Sequence, residues 1–135
     1  MSQAPRGTRI AHFGIAVSSL ADSLPFYRDV LGLPVTPLDD ADGARIVGLS
    51  AGESLVELLE ADAPDSPIAK FVARRGPGMH HVCFAVDDLD ATLVRCRDAG
   101  IRLIDATPRI GAEGKRIAFL HPSSTAGVLV ELSEY

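Results

Sequence analysis

Bulky apolar residues alternate with small or polar ones along Arg9–Val17, where Phe13, Ile15 and Val17 face one way and His12, Gly14 and Ala16 the other. The same pattern returns at residues 80–86. Val82, Phe84 and Val86 form the bulky face there, and His81, Cys83 and Ala85 the other. Each strand leads into a stretch of helical period, 18–33 and 87–101, and each stretch ends at a glycine, Gly32 or Gly100. Ser18 or Ser19 can cap the first helix and Asp88 the second, while Pro25 should kink the first or move its start. "SLVELLE" (54–60) and "VLVELSE" (128–134) close the two stretches alike and align Glu57 with Glu131. A repeat of this size predicts the architecture before propensities do.

The predicted fold is α+β: two tandem β-α-β-β-β units, about 9–60 and 79–134, forming a curved mixed sheet around a metal-binding cavity. Residues 61–78 join them as a linker with a short helix, capped by Ser66 with Pro67 in its first turn. The expected organisation is a single domain spanning 1–135. The bulky faces (Phe13, Ile15, Val17, Val56, Leu58, Val82, Phe84, Val86, Val130, Leu132) must pack under the helices. His12, Glu57, His81 and Glu131 then share the opposite, inner face.

Two buried carboxylates without cations would be costly, and no Lys or Arg alternates onto that face near them. A divalent ion is the simplest compensation. Two imidazoles and two carboxylates suit Co, Mn, Ni, Fe or Zn without choosing among them, and around a six-coordinate ion they leave two positions for a chelating substrate. His80 points away from His81 and reads as structural; His121 has structural and substrate-contact roles open. Glu60 and Glu134 fall off the inner face and read as surface charges. "PRIGAEGKR" (108–116) is a Gly-rich turn with three cations, read as a solvated hairpin or an anion clamp.

Composition narrows the classes. A net charge of −5 with no basic cluster longer than Arg74–Arg75 argues against nucleic acid and anionic membranes as partners. The polar start and the lack of a long apolar run suggest a cytoplasmic protein. Cys83 and Cys96, without metal-ligand spacing, read as reduced core thiols.

The paired His…Glu units resemble the vicinal-oxygen-chelate (glyoxalase-like) superfamily. Within it "SPIAKF", "PRIGAEGKRIAFLHP" and "GVLVELSE" are similar to the methylmalonyl-CoA epimerase family. The resemblance runs from Ile10 to Glu134. It implies an isomerase that interconverts the R and S forms of methylmalonyl-CoA by α-proton abstraction through a metal-stabilised enolate. It further implies a homodimer, a divalent ion (cobalt favoured), His12, Glu57, His81 and Glu131 as ligands, and Glu131 as a proton-transfer group. Two departures stand out: Ile46 replaces a carboxylate found in some members, and "HPS" replaces "HPK". Lys115 and Arg116 are candidate contacts for the acyl-CoA, and Glu57, a water or a carboxylate of "DDADG" (39–43) is the candidate second acid or base. The alternatives are a glyoxalase I-type isomerase, a two-His-one-carboxylate oxygenase, which leaves Glu57 unexplained, and a metal-free binding protein on the same fold.

Overall fold

A computed structural model describes residues 7–135. The chain divides into two compact units: His12–His80, and the stretch up to Ala11 together with His81–Tyr135. Both realise the β-α-β-β-β plan. In the first, β1 (Arg9–Val17) is followed by α1 (Leu20–Pro25), β2 (Val35–Thr36), β3 (Ala44–Ala51) and β4 (Ser54–Ala61), in the sheet order β2-β3-β4-β1. In the second, β5 (Gly78–Val86) leads to α3 (Leu89–Asp98), β6 (Arg109–Ile110), β7 (Arg116–Leu120) and β8 (Val130–Glu134), in the order β5-β8-β7-β6. The linker helix is α2, Pro67–Arg75. Each unit is mixed: β1 runs parallel to β4 and β5 parallel to β8, and the remaining pairs are antiparallel.

Eight of the ten bulky-face residues, all but Phe13 and Val82, pack under the helices as their alternation requires. Ile15, Val17, Val56 and Leu58 meet Leu20, Leu24 and Tyr27, while Phe84, Val86, Val130 and Leu132 meet Leu89, Leu93 and Cys96. Burying each of these leucines contributes about 1.5–3 kcal/mol. Ser19 and Asp88 cap α1 and α3 through their side chains, and Ser66 caps α2. Gly32 and Gly100 take φ of 72° and 77°, the left-handed turn that ends a helix and suits glycine. Pro25 neither moves the helix start, which Ser19 caps as expected, nor acts before the helix's last residue. The α-helix reaches it and then widens into one π turn, Phe26–Val30, closed by Leu31 N donating to Phe26 O at 2.9 Å.

The linker helix settles on its own unit. Ile68 is 3% exposed and packs with Phe71 and Val72 against Ala16, Ala44, Ile46 and Leu59, so those apolar residues are not a vacant docking face.

Candidate active site

Small residues on β1 and β5 are what let the acidic and basic side chains meet. Gly14 lies beside Glu57 in the β1–β4 register, and Cys83 beside Glu131 in β5–β8. An imidazole two residues earlier on the same face can therefore lean across the gap. His12 Nδ1 reaches Glu57 Oε2 at 3.2 Å, and in the other unit His81 Nε2 reaches Glu131 Oε1 at 3.0 Å. All four residues are buried, at 3%, 3%, 7% and 5% exposure. The repeat thus produces the same device twice. A carboxylate buried against an imidazole needs positive charge nearby or a proton between the two, and these donors are of the type that ligates borderline divalent ions.

The antiparallel neighbour of each glutamate is where the units part. Gly48 is paired with Glu57, and a Cβ there would lie 2.8 Å from Leu38 Cδ1 and 3.0 Å from Thr36 O, so Leu38 already fills that place. Phe119 is paired with Glu131, and its ring meets His81 edge-on, with centroids 5.6 Å apart and planes at 75°. Arg109 lies over the Phe119 ring at 5.5 Å and bonds Asp105.

Other sequence expectations are corrected by long-range contacts. Glu60 and Glu134 are not surface charges: Leu20 N donates to Glu60 Oε1 and Leu89 N to Glu134 Oε2, both at 3.0 Å. Each carboxylate thus accepts at a helix N-terminus, where the helix dipole also favours it. Arg45 pairs with Glu60 and Arg116 with Glu134, so this device too is repeated. Arg116 also bonds both oxygens of Asp90, and that contact raises its pKa. Its guanidinium is therefore engaged on the α3 side and is not brought to the His81–Glu131 face. Lys115, its neighbour on the 111–116 turn, is half-buried. His121 accepts from Ser123 N through Nδ1, and His80 stacks edge-on against Phe71 at 4.9 Å; both have structural work. Ile46 lies in the apolar layer beneath α2. Within "DDADG", Asp40 accepts from Ile46 N at 3.1 Å and so caps a backbone group.

Residues 11–119 match the Glyoxalase/Bleomycin resistance protein/Dioxygenase superfamily. The bovine mitochondrial methylmalonyl-CoA epimerase is 39% identical over 130 residues, covering 93% of this chain and 74% of that protein. The chain belongs to the methylmalonyl-CoA epimerase family. An ethylmalonyl-CoA/methylmalonyl-CoA epimerase of Cereibacter sphaeroides is 38% identical over 93% of this chain and 97% of its own. A solved methylmalonyl-CoA epimerase in complex with methylmalonyl-CoA and NH4+ superposes with a TM-score of 0.89 at 38% identity, covering 94% of each chain. The resemblance read from "PRIGAEGKRIAFLHP" therefore holds, and these epimerase relatives are isomerases of acyl-CoA thioesters.

Proposed function

We propose that this chain epimerises methylmalonyl-CoA, with His12, Glu57, His81 and Glu131 holding one divalent ion. The observation that carries the reading is the repeated buried His–Glu pair in a chain whose epimerase relatives are 38–39% identical over 93% of its length. The donor set fits a divalent cation: two neutral imidazoles and two carboxylates offset its charge in a site poor in water. Cobalt, favoured by the family resemblance, fits this set, as do Mn, Ni, Fe and Zn.

A bound cation supplies fixed positive charge where the substrate's carbonyl oxygens gain negative charge as the α-proton leaves. The remaining work falls to protein groups. Glu131 takes or returns the proton at one face of the α-carbon through a carboxylate oxygen, and His81, at 3.0 Å from its Oε1, fixes the carboxylate's position. Ile46 offers no acid at the position where some relatives carry one, so the partner on the opposite face is Glu57, a water or a carboxylate of residues 39–43. Burial of the paired residues keeps their side chains out of bulk solvent.

Two free cysteines and the absence, among the described residues, of any helix long and apolar enough to cross a membrane are in keeping with a cytoplasmic enzyme. Assembly as a homodimer is part of the same reading, supported by exposed Phe26, Val30, Leu31 and Val35 in one ten-residue stretch. Light scattering at micromolar concentration should give twice the chain mass; a monomer overturns the dimer.

The deciding experiment follows exchange of the α-proton of methylmalonyl-CoA in D2O, before and after chelation and metal restoration. Deuterium incorporation that falls with chelation and returns with metal supports the whole reading. Exchange indifferent to chelation removes the metal from it. No exchange, with turnover of a hemithioacetal instead, replaces it by a glyoxalase I-type isomerase.

A further inference from the structure

The two His–Glu pairs are alike, but a malonyl thioester is not symmetric: one arm is a thioester and the other a carboxylate. Any feature that tells the arms apart must lie in what differs between the units, and the largest difference is beside the glutamates. In the first unit the place opposite Glu57 is apolar, Gly48 overlaid by Leu38. In the second, the place opposite Glu131 holds Phe119 with a guanidinium on its ring.

That guanidinium is built in. Asp105 donates its own N–H to Phe119 O at 3.2 Å and accepts from Phe119 N through Oδ2 at 2.8 Å. Its other oxygen, Oδ1, takes Arg109 Nε at 3.1 Å. The carboxylate is 17% exposed and pinned to the β7 backbone at residue 119, so it anchors the Arg109 side chain, itself 39% exposed, through Nε. Binding at Nε sets the plane of the fork, and the aromatic face below supports it. Two successive ring contacts, Arg109 on Phe119 and Phe119 on His81, link this cation to the ligand-type histidine.

We propose that Arg109, positioned by Asp105 and Phe119, receives the free carboxylate of the malonyl-type thioester, so that the charged arm belongs to the His81–Glu131 unit. This rests on the epimerase reading above and adds the direction of the substrate. A planar fork suits a carboxylate, and the coenzyme A phosphates lie a whole pantetheine arm away from the reacting carbon. The net charge of −5 gives no general attraction for an anion, which makes a local, preorganised cation the more necessary.

The test is calorimetric binding of methylmalonyl-CoA and of propionyl-CoA, which lacks the carboxylate, to metal-containing wild type, R109A and R109K. R109A should bind methylmalonyl-CoA about 10- to 100-fold more weakly, the usual cost of removing a charge-assisted bond. Its binding of propionyl-CoA should stay within about twofold of wild type, which also reports an intact fold. R109K keeps the charge without the fork and should recover part of the loss. Equal weakening of both thioesters would overturn the proposal and place Arg109 at the coenzyme or in the fold; unchanged binding of both would make it only the partner of Asp105. Failure of the epimerase reading is separable, since it appears as wild type that binds thioesters yet exchanges no α-proton.

Discussion

The unit of His12–His80 and the unit holding His81–Tyr135 carry one plan and two linings. Strand order, the positions of the helix caps, the buried His–Glu pair and the Arg–Glu pair at the helix start are repeated. What is not repeated is concentrated opposite the glutamates, where Gly48 under Leu38 stands against Phe119 under Arg109. The coverings differ as well. In the first unit α2 lays Ile68 and Phe71 over Ala16 and Leu59, while in the second Ala11 and Tyr135 pack on Cys83 and Ala85. Duplication supplies a matched set of ligand-type residues, and divergence around that set is where an asymmetric substrate can be read.

The widest expected gap between the units is chemical. Glu131→Gln should lower kcat by about 10²–10⁴-fold, the range for losing a proton-transfer group. Glu57→Gln should cost far less if a water serves the opposite face, because an amide oxygen still serves as a ligand. Steady-state kinetics with both stereoisomers checks this. Equal losses would mean that the two glutamates share the proton transfer, and the chemical distinction between the units would disappear. His12→Ala and His81→Ala test the opposite expectation, that the units are equivalent. Either should reduce metal from about one ion per chain to a small fraction, because three donors seldom retain what four bind. Metal analysis after purification without chelator reads the outcome, and metal that survives the loss of either histidine places the site elsewhere.

Packing gives the next largest effect. Gly48→Ala should destabilise the first unit by about 1–3 kcal/mol, since its Cβ would meet Leu38 and the Thr36 carbonyl below 3.1 Å. Urea denaturation measures it. A neutral result would show that Leu38 moves aside easily and that the lining of this unit is not fixed.

How much of this the sequence foretold depends on the range of the interaction. Strand faces, caps and the four inner-face residues follow from local alternation and from a repeat visible by alignment, so His12, Glu57, His81 and Glu131 were legible together. The Asp105–Phe119 contact was not, because it joins residues fourteen apart across an irregular loop, and neither residue departs from ordinary surface or strand composition. Glu60 and Glu134 were misread for a related reason. Alternation places them off the inner face, but only the tertiary fold brings a helix N-terminus 40 or 45 residues away onto their oxygens. The π turn after Pro25 was foreseen as a disturbance and not as a form, since a missing N–H does not specify how the helix repairs itself.

Those two carboxylates offer a milder test of equivalence. Glu60→Gln and Glu134→Gln should each cost about 0.3–1 kcal/mol, the worth of a charge at a helix N-terminus. Thermal unfolding of both variants should give similar losses. A clearly larger loss at Glu134 would mean that Arg116 and Asp90 make the second network more than a copy of the first.

The smallest expected effect separates two adjacent cations on one turn. Arg116 is engaged by Glu134 and Asp90, whereas Lys115 is half-buried beside it in the Gly-rich segment. Both were candidates for the acyl-CoA from their position alone, but a side chain already committed to two carboxylates has little left to give a substrate. Lys115→Ala should raise KM for the CoA thioester about two- to fivefold, the worth of one screened surface contact, with kcat unchanged. Such a contact is the same in ground and transition states, and added salt should erase it in wild type. Arg116→Ala should leave KM alone and lower Tm instead. If Arg116→Ala raises KM while Tm holds, the pairing with Glu134 and Asp90 is not its main role, and the substrate reaches further round the second unit than the Arg109 placement implies.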